Sequence, residues 1–374
     1  MGEATVTPNV PPDVAELLRK LPLTDVGNAE CLMALHGDGL RYCHTRSKWL
    51  TYDGRRWAID DDGIVKRLML ATVRKRHLAG IDLPSNTPEE TSARSAFLSY
   101  TVRSESEAKL SSALASASWQ ASLATTIGTY DTRPMLANAG DVTIDLATGQ
   151  ARDNAPGDYI TRRLGADYDA GATCPLWRRL LGEWFNDDQA MTAYIARAVG
   201  YTLTGDTREQ KLFLCYGNGA NGKSVFLTTL SRLMGEYAAS RSFATFDADE
   251  RNRVGDDLAG LKGARLVTVI ETDEDRRLNE ARVKSLTGQD TISCRFLFGE
   301  YFNFRPEFKL WIAVNHRPTV RGTDRGIWRR LQLIPFLQSF EGREDKTLDA
   351  KLRAELPGIL NWALDGLRDW HAQE

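Results

Sequence analysis

The sequence has no C-x-x-C pair. Its five cysteines, Cys31, Cys43, Cys174, Cys215 and Cys294, are scattered, and no histidine stands near them at metal-ligand spacing. That pattern argues against a zinc framework, and an odd, dispersed set suits a reducing compartment better than a disulfide scaffold. No apolar run approaches the ~18 residues of a membrane span. Residues 1–12 are polar and contain proline, without the basic-then-apolar order of a signal peptide. The expectation is a soluble, intracellular, cytoplasmic protein with no membrane partner. A large excess of one charge is also missing, since 48 Lys and Arg face 50 Asp and Glu for a formal net charge of −2. This balance speaks against a surface that coats nucleic acid everywhere but leaves room for a local basic channel.

What the sequence does contain is the stretch Gly217, Asn218, Gly219, Ala220, Asn221, Gly222, Lys223, Ser224, which fits the phosphate-binding pattern G-x-x-x-x-G-K-[ST]. An apolar run of strand length, residues 211–216, precedes it, and residues 225–234 carry apolar positions at helical spacing. Strand, glycine loop and helix follow in the order this chemistry needs. Glycines let backbone N–H groups turn inward around phosphates, and the next helix presents its positive end to their charge. Lys223 is placed to reach the β and γ phosphates of a nucleotide, and Ser224 to put its hydroxyl on Mg²⁺.

The length, 374 residues, allows more than one core. The organisation read from pattern is a leader over 1–27, a mostly helical domain with small β-hairpins over 28–205, a nucleotide-binding domain over 206–340, and a helical tail over 341–374. In the first of these domains Asp53-Gly54 sits between two short β-like runs and signals a hairpin. Its aromatics, Trp49, Tyr52 and Trp57, suit either base stacking or the face of a small sheet. Residues 64–77 read as a basic amphipathic helix whose cations suit a nucleic-acid contact or, more simply, a solvated face, residues 81–91 as a connection, and 92–126 as alanine- and serine-rich helix. Residues 142–149 suggest a second hairpin. The apolar stripe of residues 177–203 is expected to pack two domains together.

A phosphate loop needs a carboxylate at the end of a neighbouring strand to hold Mg²⁺ through water. The run 265–270 ends in Glu271, Thr272, Asp273. Glu271 takes the strand-terminal position, and Asp273 faces the same side if the chain stays extended. The alternative is a solvated acidic loop. A third run, 308–314, ends in Asn315, whose amide suits the γ-phosphate or the attacking water. After it come Arg317, Arg321, Arg325, Arg329 and Arg330, one of which is suited to neutralise transition-state charge across a subunit boundary. Between the second and third runs, alternation on both sides of Gly299-Glu300 indicates a β-hairpin. Lys284, Arg295, Phe298, Gly299 and Glu300 are its candidate DNA contacts, against the plainer reading of a structural hairpin with inward aromatics.

With these pieces in order, the chain resembles the superfamily III helicases of the AAA+ class, and within them the helicase portion of phage and plasmid primase-helicases related to the poxvirus uncoating ATPase. The residues that carry the resemblance are 216–224, 266–271, 284–290 with Arg295, 308–311, 315–318 and 327–336. Looser likeness extends through 158–162, 174–177 and 200–205. The resemblance implies an α/β fold, a P-loop motor with a parallel central sheet behind the mostly helical domain. It implies ATP and Mg²⁺ at Lys223, Ser224 and Glu271, with Asn315 as the sensor and Arg330, or its neighbour Arg329, as the finger in trans. It also implies a homo-hexameric ring that moves on single-stranded DNA and opens forked DNA in the host cytoplasm, a bacterial one if a phage or plasmid encodes it. Nothing before Asn28 is large enough for a primase domain, so a separate primase is the expected partner. No winged helix is evident near the last residue. A ring ATPase that remodels DNA without unwinding it, a small-molecule P-loop kinase and a non-catalytic scaffold remain as alternatives.

Overall fold

The computed structural model describes residues 11–243, 256–270, 279–295, 301–315, 325–343 and 345–373. Contacts divide the chain into two compact units, Met1–Tyr130 and Asp131–Glu374.

The first unit begins with α1 (Pro12–Lys20) and α2 (Asp25–His36). Strands β1 (Leu40–Cys43), β2 (Lys48–Tyr52) and β3 (Trp57–Ile59) follow, then α3 (Ile64–Ile81), α4 (Pro88–Ser104), α5 (Glu107–Ser118) and the short β4 (Ala124–Thr125). The strands form one sheet in the order β3-β2-β1-β4. The expected Asp53-Gly54 hairpin joins β2 to β3. Gly54 has φ of +92°, and the Asp53 carboxylate accepts from the backbone N–H groups of Arg55 and Arg56, both at 2.8 Å. Trp57 is 1% exposed, so packing wins over stacking for that ring.

The helices differ from the sequence reading in one respect. Residues 81–91 are not all connection, because α4 starts at Pro88 on a capping box. Thr87 accepts from Glu90 N–H, and Glu90 accepts in return from Thr87 N–H. Thr-Pro-Glu-Glu is the start signal that the proline and glutamates disguised as loop. In α3, Lys66 and Arg74 face water and pair with Glu107 and Glu105, but Arg76 is fully buried. Its guanidinium donates to Leu18 O (3.0 Å), Asn28 Oδ1 (2.8 Å), Pro22 O (2.9 Å) and Leu21 O.

The second unit opens with the hairpin strands β5 (Leu136–Ala139), β6 (Val142–Asp145) and β7 (Gln150–Asp153), then α6 (Pro175–Phe185) and α7 (Gln189–Leu203). After them come β8 (Leu212–Tyr216), α8 (Lys223–Met234), β9 (Ala238–Ser242), α9 (Asp256–Ala259), β10 (Leu266–Ile270) and α10 (Glu280–Thr287). The hairpin β11 (Ile292–Arg295) and β12 (Tyr301–Phe304) precedes β13 (Lys309–Val314), α11 (Arg325–Trp328), β14 (Leu331–Pro335), α12 (Leu348–Ala354) and α13 (Leu356–His371). Strands β14-β8-β13-β10-β9, in that order, make a five-stranded sheet whose pairings are all parallel.

Both faces of this sheet are covered, as a parallel sheet requires. Phe213, Cys215, Trp311 and Ala313 point into a core shared with α6, α7, α8 and α13. The alternate residues Leu212, Leu214, Leu310, Ile312 and Val314 enter a second core with α9, α10 and the β11–β12 hairpin. The apolar stripe of residues 177–203 thus packs on the sheet itself, with Trp177 stacked on Phe226 of α8 at 5.6 Å between ring centres. The 205/206 boundary expected from pattern falls inside this unit. Among the described residues, no helix is long and apolar enough to cross a membrane.

Candidate functional site

The glycine loop leaves the carboxyl end of β8 and turns directly into α8. Its conformation depends on residues with little or no side chain. Gly217 has φ of +152° and Gly222 of +89°, and a β-carbon at Gly217 would fall 1.9 Å from Phe336 O. Ala220 is left-handed as well, with φ of +54°, and its carbonyl accepts from Phe340 N–H at 2.7 Å. A β-carbon at Gly219 would meet nothing within 4 Å, so this part of the loop faces open space.

Lys223, whose ammonium the sequence pattern assigns to a phosphate, is 6% exposed. Its Nζ donates to Gly217 O and to Asn221 Oδ1, the latter at 3.1 Å. Burial draws its pKa below the ordinary lysine value, against a weaker opposing influence of Cys215. Asn221 is itself buried, and its Nδ2 donates to Phe336 O at 2.9 Å. Ser224, by contrast, is exposed at the first turn of α8. An open glycine arch, a lysine that among the described residues donates to neutral oxygens, and an exposed hydroxyl are a donor set that fits a polyphosphate with its cation.

Strand register brings Asn315 to this loop. Val314 pairs with Tyr216, so Asn315 and Gly217 are the next residues on adjacent strands, about 5 Å apart in the sheet direction. Asn315 is exposed. Ile270, the last described residue of β10, pairs with Ala313 at the same edge. Glu271 and Asp273, together with Phe298, Gly299, Glu300, Arg317 and Arg321, lie outside the described residues.

The two arginines at 329 and 330 stand at the opposite edge. Arg330 O accepts from Leu212 N–H at the amino end of β8. The length of the intervening strand, about 3.3 Å per residue, puts them on the order of 15–20 Å from the loop of their own chain. Arg330 is 8% exposed and donates to Thr287 Oγ1 (3.2 Å), Gly326 O (2.6 Å) and Gln210 Oε1 (3.0 Å). Arg329 is exposed, and among the described residues its side chain donates to Gln210 Oε1 at 2.5 Å.

The hairpin β11–β12 forms as the alternation predicted. Cys294 and Phe304 face the core, while Tyr301 is 65% exposed with the Arg295 guanidinium 5.1 Å from its ring centre. Lys284 lies on α10 and is half-buried. The hairpin therefore divides the two readings of its aromatics, Phe304 turning inward and Tyr301 outward.

Sequence reasoning overlooked Trp184, which it counted only as part of an apolar stripe but which backs the loop at Gly222. It also overlooked the segment 336–340, which crosses the loop and bonds to it at two points and to the end of β8 at a third. The available signal was Asn221, an amide inside a loop that otherwise needs only small residues.

A family model described as D5 N terminal like matches residues 29–186, and one described as a family of unknown function, DUF5906, matches residues 215–330. The "Putative helicase L207/L206" of Acanthamoeba polyphaga mimivirus is 30% identical over 235 residues, 60% of this chain and 24% of its own. The "Putative helicase 121R" of Invertebrate iridescent virus 3 is 27% identical, covering 57% of this chain and 24% of its own. The "Putative primase C962R" of African swine fever virus is 26% identical over 33% of this chain and 13% of its own. The chain thus spans about a quarter or less of the length of these relatives. Among solved structures, the apo A form of the NrS-1 C terminal region superposes with a TM-score of 0.53 at 12% identity, over 92% of this chain and 68% of that one, a likeness of fold alone.

Proposed function

This chain belongs to the superfamily III primase-helicase family, and from that premise we propose that it is the ATP-driven motor of a replicative DNA helicase of a virus, phage or plasmid. Residues 217–224 hold ATP, Ser224 and Glu271 hold Mg²⁺ with Asp273 beside them, and Asn315 senses the γ-phosphate. Bound Mg²⁺·ATP supplies the phosphoanhydride whose hydrolysis drives the motor. Lys223 neutralises phosphate charge, and Asn315 orients the groups at the β13 terminus. In this reading the second unit, 131–374, is an AAA+ P-loop motor whose parallel sheet lies within 206–340.

The observation that carries the proposal is the shared edge, where the glycine loop, Asn315 and the end of β10 meet on three adjacent strands. Ligands of parallel sheets bind outside the carboxyl ends of the strands. The distance of Arg329 and Arg330 from that edge supports their use in a neighbouring subunit of a ring, hexameric by family likeness. An arginine that reaches across a boundary has to be exposed, which favours Arg329 over the internally bonded Arg330 for the finger. Arg295 and Tyr301, with Lys284, are the contacts offered to single-stranded DNA.

The test is strand displacement on forked DNA with Mg²⁺·ATP, comparing the chain with Glu271→Gln and Arg329→Ala. Both variants are expected to lose unwinding, and Arg329→Ala to lose about 10³-fold in ATP hydrolysis. Hydrolysis stimulated by DNA without strand separation would leave a remodelling ATPase instead. Full activity in either variant would overturn the site assignment.

A further inference from the structure

Ala220 holds a left-handed backbone that L-residues seldom adopt, and such a conformation persists only where its surroundings over-determine it. Here the surroundings are the segment 336–340, which runs from the end of β14 across the loop. Phe336 N–H donates to Tyr216 O at 2.8 Å, Phe340 N–H donates to Ala220 O at 2.7 Å, and Asn221 Nδ2 donates to Phe336 O at 2.9 Å. Only the last of these three ties is made by a side chain. The same side chain turns its Oδ1 to Lys223, accepting from Nζ at 3.1 Å and from the backbone N–H at 3.4 Å.

From this geometry we infer that Asn221 is a positioning residue, whose amide joins Lys223 on one side to the segment 336–340 on the other and so couples the state of the phosphate loop to that segment. A primary amide can do this because it donates and accepts at once. When a triphosphate takes the Lys223 ammonium, Oδ1 loses its charged partner, and the strain at Ala220 is then borne by the remaining ties. The nucleotide-dependent half of this inference rests on the reading of the loop as an ATP site. The tie to 336–340 does not, because it exists in the free protein.

The test is hydrogen–deuterium exchange of the nucleotide-free chain together with equilibrium binding of ADP. Asn221→Ala removes both arms. Asn221→Asp keeps an acceptor for Lys223 but cannot donate to Phe336 O. In both variants, exchange in 336–343 and 217–224 is expected to speed up by about tenfold or more, the loss of one buried hydrogen bond. Exchange in α7 and α13 should stay as in the parent chain, since a merely structural defect would loosen them as well. Lys223→Met, which leaves the Phe336 bond intact, should change 336–343 by less than about threefold. ADP affinity should fall by about tenfold in Asn221→Ala and by about a hundredfold in Asn221→Asp, whose carboxylate holds the ammonium and repels phosphate.

Unchanged exchange in both Asn221 variants, or equal loosening of α7 and α13, would overturn the tie. Parent-like ADP affinity in Asn221→Asp would overturn the Lys223 arm. If the parent chain itself failed to bind ADP, the nucleotide reading would fall, while the exchange contrast would still decide the tie.

Discussion

Gly222 lies against the indole of Trp184, so closely that a β-carbon on the glycine would stand 2.1 Å from the indole Nε1. Trp184 is held from behind by Trp177, Phe226 and Phe336, with ring centres 5.7 to 6.0 Å away, so the indole has no room to retreat. Gly222→Ala therefore meets both a clash and the φ of +89°, which alone costs an L-residue about 1–2 kcal/mol. ATP affinity measured by calorimetric titration is expected to fall more than about tenfold. Wild-type affinity in this variant would mean that phosphate does not dock on this loop.

Arg329 and Arg330 are neighbours in sequence with opposite environments. Arg330→Ala leaves Gln210, Gly326 and Thr287 without a buried donor and is expected to destabilise the second unit by about 2–4 kcal/mol in urea unfolding. Arg329→Ala should stay within about 0.5 kcal/mol of the parent, its side chain being exposed. Equal destabilisation by the two would remove the structural distinction on which the choice of Arg329 as finger rests.

This pair also marks where the sequence stops being informative. The glycine loop was legible because glycine spacing encodes local backbone conformation, and β8, β10 and β13 because continuous apolar runs imply strands covered on both faces. Asn315 was legible as a strand end. Which arginine is buried was not, because the partners of Arg330 come from residues 210, 287 and 326, brought together only by folding. The same holds for Arg76, which looks in sequence like one more cation on the solvated face of α3.

Arg76 yields a prediction of its own. Its guanidinium satisfies three backbone carbonyls and Asn28 across the join of α1, α2 and α3. Arg76→Leu is expected to destabilise the first unit by more than about 3 kcal/mol, since several buried acceptors lose a charged donor at once. Arg74→Ala, which removes an exposed pair with Glu105, should change stability by less than about 1 kcal/mol. Urea titration followed by far-UV circular dichroism separates the two. A small effect of Arg76→Leu would mean that water reaches those carbonyls.

Lys309, 1% exposed at the amino end of β13, donates to Thr204 O at 2.5 Å and to Asp206 O at 2.9 Å, with the Tyr201 ring centre 4.5 Å from Nζ. Burial, reinforced by the charge of Arg265, holds its pKa well below the ordinary lysine value, while Asp206 and Glu307 act in the opposite sense. Between the folded and unfolded pKa values the unfolded chain binds the extra proton, so the contribution of Lys309 to stability rises with pH across that window. Below the folded pKa, the full burden of an ionised buried amine is present. Lys309→Met abolishes the titration and leaves the carbonyls without a donor. Its destabilisation relative to the parent chain is therefore expected to grow as the pH is raised from about 7 to about 9.5, where a free lysine is still protonated. The readout is the difference in urea midpoints between the two proteins at each pH. A difference that stays constant or shrinks over this range would show that the neighbouring oxygens, rather than burial, govern the ammonium.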